Sequence, residues 1–134
     1  MIEISRQWNT SIYMRFDDKG NDDLIKTFDE ILEGKEVVLD VNFDMSVVKM
    51  KKRAALQRAS TIHVIKDNEV DIPTIYLQDN EVIWKINDED ADEAAWRFKE
   101  CKKQGDFGMA EFMCIQVPKN KNTDEMYCEF KNQI

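Results

Sequence analysis

Apolar and polar residues alternate along most of this chain, and the period of the alternation predicts its elements. Ile2, Ile4 and Trp8 stand among polar neighbours, and Ile12, Met14 and Phe16 repeat the pattern after Asn9-Thr10-Ser11. A period of two is that of a half-buried strand, so residues 2–17 predict a hairpin. Over 22–33 the period lengthens, and Leu24, Ile25, Phe28, Ile31 and Leu32 form one stripe at helical spacing. Asn21 is the expected N-cap, Asp22 and Asp23 suit the positive end of the helix dipole, and Gly34 is the expected stop. Residues 36–43 return to strand, with Val37, Leu39, Val41 and Phe43 on one face. Residues 47–58 predict a short basic helix.

The second half repeats this grammar. Residues 60–65 read as a strand, and 74–78 and 81–87 as a hairpin about Asp79-Asn80, both tolerant of positive φ. Asp90-x-x-Glu93 resembles a capping box and opens a helix running to about Gln104. Ala91, Ala94, Ala95, Phe98 and Cys101 form its apolar stripe, and Gly105 ends it. Residues 111–117 and 126–131 predict a final hairpin. Residues 12–41 also lie over 82–117: Ile12 to Asp18 fall on Val82 to Asp88, and Leu24, Ile25, Phe28 and Ile31 fall on Ala94, Ala95, Phe98 and Cys101. The fold expected is one α+β domain over residues 1–134. Its sheet is mostly antiparallel, with two helices on one side and 47–58 as a third, built from two similar ββαβ units.

Composition narrows the classes. The chain has 134 residues, is 43% hydrophobic and carries seven Phe, three Trp and three Tyr, which suits a packed core rather than disorder. No apolar run reaches the roughly 18 residues of a membrane span. Met1 to Arg6 reads as a strand rather than a signal peptide, so the expected location is the cytoplasm. Cys101, Cys114 and Cys128 have no CxxC spacing and read as buried, reduced thiols.

The net charge of −8 argues against a general nucleic-acid binder. Six of the 19 basic residues (Lys49, Lys51, Lys52, Arg53, Arg58 and Lys66) nevertheless fall within 45–66, where there is no acid.

Catalytic and cofactor motifs are missing. Asp88-x-Asp90-x-Asp92 begins like a calcium loop, but Glu93 stands where glycine is needed and Lys99 where glutamate is needed. His63, the one histidine, lies in a strand-like run with no nucleophile motif near it. No phosphate-binding or nucleophile-elbow motif occurs, and no cofactor or metal is expected.

The function expected from class and charge is a small acidic protein-binding module. An immunity-type or inhibitor protein that neutralises a basic partner, such as a toxin or nuclease, is the model case. The expected contact residues are the acids at the two helix starts, Asp17, Asp18, Asp22, Asp23, Asp88, Asp90 and Asp92, brought onto one rim by the internal repeat. Trp96, off the apolar stripe of its helix, is the expected aromatic contact. Two other readings compete. One is a ligand-binding domain or enzyme with a sheet pocket containing His63, Tyr13 or Tyr76. The other is an accessory protein whose basic 49–58 segment contacts nucleic acid. Edge strands at the termini offer a route to a homodimer.

Overall fold

The computed structural model describes residues 1–7, 11–48, 58–118 and 120–132. In chain order the elements are β1 (Ile2–Gln7), β2 (Ser11–Phe16), α1 (Asp18–Leu32), β3 (Val37–Asp44), a 3₁₀ turn (Met45–Val47), β4 (Arg58–Lys66), β5 (Thr74–Gln78), β6 (Glu81–Ile86), α2 (Asp88–Gln104), β7 (Glu111–Ile115) and β8 (Asp124–Phe130). Trp8, Asn9, Thr10 and residues 49–57 lie outside the described residues. With them go Lys49, Lys51, Lys52, Arg53 and most of the expected third helix. Two α-helices, not three, are found among the described residues.

All eight strands join one sheet in the order β5-β6-β4-β3-β1-β2-β8-β7. The expectation of a mostly antiparallel sheet is corrected here: the sheet is mixed. Four pairings are antiparallel (β1–β2, β3–β4, β5–β6, β7–β8) and three are parallel (β1–β3, β4–β6, β2–β8). Alternation predicts strands and their hairpins, but it carries no information on which distant strand lies alongside or in which direction.

The two outer strands also meet. Ile75 N donates to Gln116 O at 3.1 Å and Gln116 N donates to Pro73 O at 2.8 Å, an isolated parallel bridge that nearly closes the sheet into a barrel. With that bridge the strand order maps onto itself when each element of the first half is exchanged for its counterpart in the second. The unit so related is ββαββ, one strand longer than the ββαβ expected, because β4 and β8 each pair with a strand of the other half.

The apolar sides of the strands and the stripes of both helices form one core. Phe28 of α1 stacks on Phe98 of α2 at 5.8 Å and meets Trp84 of β6 edge-on at 5.6 Å. Phe16 meets Phe98 edge-on at 5.4 Å. All four rings are fully buried, each contributing roughly 1.5–3 kcal/mol by burial. Lys102 of α2 bridges Asp18 (2.8 Å) and Asp22 (3.1 Å) of α1, and Lys99 reaches Asp29 at 2.7 Å. These contacts make the helices cross antiparallel at Phe28 and Phe98.

Both helices begin earlier than expected. Asp17 caps α1 by accepting from Gly20 N, and Asn87 caps α2 by accepting from Asp90 N. Asp18 to Asn21, ahead of the first helical residue expected, therefore form the first turn of α1. Gly20 is there because a Cβ would come within 2.5 Å of the Met1 carbonyl oxygen. Asn21, the expected cap, is fully buried inside the helix. The stop at Gly34 has φ +87°. Gly34 N bonds Ile31 O and Lys35 N bonds Glu30 O, the pair of bonds that defines a Schellman motif.

Candidate binding pocket

α2 has a second face. Asp90, Glu93, Arg97, Glu100 and Gln104 recur at helical spacing and turn away from the core, with Trp96 beside them. This face overlooks the seam where β5 and β7 are joined by their single bridge. Between them lies a cavity of about 720 Å³, lined by this stripe, the approach to β5 (Asp71, Ile72, Pro73), the 105–110 connection and β7 with Glu125 of its neighbour.

The lining has two chemistries. Phe107, Phe112 and Met113 provide an apolar floor, while Trp96 (62% exposed), Met109 (74%) and Ile72 (38%) stand open at the rim. Around them, among the described residues, are seven carboxylates, those of Asp71, Asp90, Glu93, Glu100, Asp106, Glu111 and Glu125, against one cation, Arg97. Among the described residues, only Glu100 of these seven is in an ion pair, with Lys103 at 3.5 Å. The Arg97 guanidinium donates to the carbonyls of Met109, Glu111 and Phe112 and lies 4.4 Å from the centroid of Phe107. It takes the place of a neighbouring strand along the open side of β7, the kind of protection that exposed sheet edges need.

Burial and nearby carboxylates disfavour the thiolate form of the cysteines. Burial, assisted by the carboxylates of Asp106 and Asp18, pushes the Cys101 thiol up to about 11. Cys114 is exposed, correcting its expected burial: position 114 turns outward on β7, where Sγ donates to Glu125 Oε1 at 3.3 Å. Desolvation and that carboxylate raise its pKa as well. Cys128 is buried, and desolvation raises it well above the ordinary value. Because the thiolate is the reactive form, each shift opposes reactivity near neutral pH. Among the described residues, no group of three or more His, Cys, Asp or Glu is placed to hold a metal ion, and no helix is long and apolar enough to cross a membrane.

The residues expected at the site are divided. Asp90 and Trp96 line the cavity. Asp92 is exposed on α2 outside it. Asp88 is held at the start of α2 by Asn68 (2.9 Å) and Lys66 (3.3 Å), which keep its carboxyl below the usual value. Asp17, Asp18, Asp22 and Asp23 sit at the start of α1 and are engaged by the Met1 amino group, by Lys102 twice and by Lys19. Since the helices cross antiparallel near their middles, the two helix starts lie at opposite ends of the pair. Each is about 15 Å along its axis from the crossing, so the two acid clusters form no common rim.

Of the residues in the alternative reading, His63 and Tyr76 both lie opposite Ile83, on the two strands that flank β6, His63 near Glu36 (3.4 Å) and Glu81 (3.8 Å) and Tyr76 under Lys85, whereas Tyr13 lies on β2, stacked on Tyr127. The residues missed by the sequence reading were Glu93, Arg97, Glu100 and the loop pair Phe107 and Met109. The spacing 90, 93, 97, 100 was the available signal, a polar stripe beside an off-stripe tryptophan. In comparisons with known proteins, no family model, curated protein or solved structure matches this chain.

Proposed function

We propose that this protein is a binding module for a basic protein partner, of the inhibitor or immunity type, and that the α2 cavity is where the partner seats. The observation that carries this is one coincidence. Exposed Trp96 and Met109 border a cavity with seven carboxylates, and the single guanidinium there is spent on backbone carbonyls. Tryptophan and methionine are favoured at contact surfaces, and exposed apolar groups ringed by unpaired charge suit a partner supplying both apolar area and the opposite charge. Excess negative potential would also steer such a partner during encounter. The α1 acids are weaker candidates because lysines of this chain already meet them.

A tagged pull-down from the native host tests the proposal, using wild type, Trp96→Ala with Glu93→Lys, and Asp18→Asn with Asp22→Asn as control. The expected result is a stoichiometric basic protein held by the wild type and the control but lost from the cavity variant. Equal recovery by all three would end the assignment to this cavity. A second reading, an amphiphilic organic cation in the same cavity, is favoured by the volume alone, which falls in the range of small-molecule sites.

A further inference from the structure

We infer that the β5–β7 seam is built to stay open, with Pro73 and Arg97 as the positioning residues that keep the cavity ready for its partner. The inference rests on the protein-binding reading above and adds how the site is held. In the bridge between β5 and β7, Gln116 faces Thr74, with its N–H on the Pro73 carbonyl and its carbonyl on Ile75 N–H. A parallel ladder continues by the same pair of bonds two residues along each strand. Toward the cavity that pair would be Cys114 N to Asp71 O and the nitrogen of residue 73 to Cys114 O. Away from it the pair would be the nitrogen of residue 118 to Ile75 O and Leu77 N to the carbonyl of residue 118. Positions 73 and 118 hold the two prolines of the chain, and proline has no N–H to donate. The Asp71 carbonyl, the acceptor on the cavity side, already takes Asn87 Nδ2 at 3.3 Å. The ladder therefore stops after one bridge.

Arg97 holds the edge beyond that stop. Between Glu111 and Met113 β7 advances two residues while β8 advances one, from Tyr127 to Met126, so Phe112 is the extra residue of a bulge. Carbonyls alternate between the two edges of a strand. Ala110 O accepts from Cys128 N on the β8 side, which leaves Met109 O and Glu111 O on the open side. The bulge turns Phe112 O to the same side, and one guanidinium spans all three at 2.5–3.4 Å. A carboxylate is the matching bidentate partner for that fork, and Asp90, Glu93 and Glu100 line the same cavity from the same helix. The fork takes backbone oxygens instead, which ties the bulge and the rim at Met109 to α2. β3 has a matching irregularity between Asp40 and Phe43, but the position on α1 that matches Arg97 is Thr27, short and buried. A partner that meets an open cavity spends no binding energy on parting a ladder.

The test is amide hydrogen exchange by NMR on the full-length wild type, Pro73→Ala and Arg97→Lys, followed by the pull-down above. Pro73→Ala restores the missing donor, and its new N–H is expected to exchange at least about tenfold more slowly than an exposed amide. Arg97→Lys keeps the charge and loses the fork. Exchange over residues 107–112 is expected to quicken at least about tenfold in it, while α1 and β1–β3 stay as they were. Pro73→Ala keeps every charge of the cavity, yet is expected to recover at least about threefold less of the basic protein. An unprotected new amide overturns the inference. So does wild-type exchange in Arg97→Lys, which makes the charge sufficient, or an equal rise across the whole molecule, which makes Arg97 a general support. Undiminished capture by Pro73→Ala with its new amide protected also overturns it. If the exchange results come out as expected and the wild type captures no basic protein, the built-in opening stands and the protein-binding reading alone fails.

Discussion

Where α1 gives way to β3 after four residues (33–36), α2 gives way to β7 after six (105–110). In the first half β3 runs directly onto β1, with Glu3 opposite Asn42 and Ile4 opposite Phe43. Beyond those rungs Arg6 donates to the carbonyls of Ser46 and Val47 and pairs with buried Asp124 at 2.8 Å, over buried Met45, Val47 and Val48. In the second half the longer connection places Phe107 and Met109 beside the strand, the equivalent seam keeps one bridge, and the cavity opens. Each seam has an arginine on backbone carbonyls. Arg6 has a buried carboxylate partner, whereas Arg97 stacks on Phe107 and Phe112. The same strand plan thus yields one sealed seam and one open seam, and a difference of two residues in the connection separates the two outcomes.

The comparison holds residue by residue at the helix starts. Gly20 and Asp90 occupy matching positions, each donating its N–H to the N-cap. Gly20 is jammed against the Met1 carbonyl, while Asp90 faces the cavity. Side-chain size is forbidden on one side of the molecule and free on the other.

The largest effect is expected at the sealed seam. Asp124→Ala removes the buried carboxylate that Arg6 pairs with and should cost about 3–5 kcal/mol in chemical denaturation. A loss under 1 kcal/mol would mean that this seam is not held by the pair. Gly20→Ala comes next. Helix propensity favours alanine by up to about 1 kcal/mol, but the 2.5 Å approach to a backbone oxygen outweighs it, for a net loss of about 1–3 kcal/mol. The matching change, Asp90→Ala, should stay within about 0.5 kcal/mol. Equal effects at the two positions would contradict the difference between the halves.

The smallest effect is on pH dependence. Asn68 first, then Lys66, lower the Asp88 carboxyl below its ordinary 3.8. The stabilisation is therefore present above pH 3.8 and is lost as pH falls through the lower folded value. Asp88→Asn should flatten the acid limb of thermal unfolding curves below that pH. An unchanged limb would show that the contact at the start of α2 contributes nothing.

Much of this was written in local pattern. The alternation around Ile12, Met14 and Phe16, the stripe from Leu24 to Leu32, the Asp79-Asn80 turn with φ +50° and +66° and the stop at Gly34 are consequences of side-chain period and backbone freedom, which act within a few residues. The overlay of Ile12–Asp18 on Val82–Asp88 likewise anticipated the matched strands β2 and β6, but not the caps at Asp17 and Asn87. The first turns of α1 and α2 were missed because Gly20 and the acidic run at Asp88 weaken the local helix signal, and it is the packing of Gly20 on Met1 that accounts for the first of them. Nothing in the chain announced that β4 would lie parallel to β6 and β8 parallel to β2, since parallel partners are distant in sequence and share no turn. The cavity belongs to the same class of fact. Its stripe was present on α2, but a stripe of acids on a helix is ordinarily solvated. Only the assembled sheet, closed at one seam and left open at the other, set Trp96, Arg97 and Phe107 around a common space.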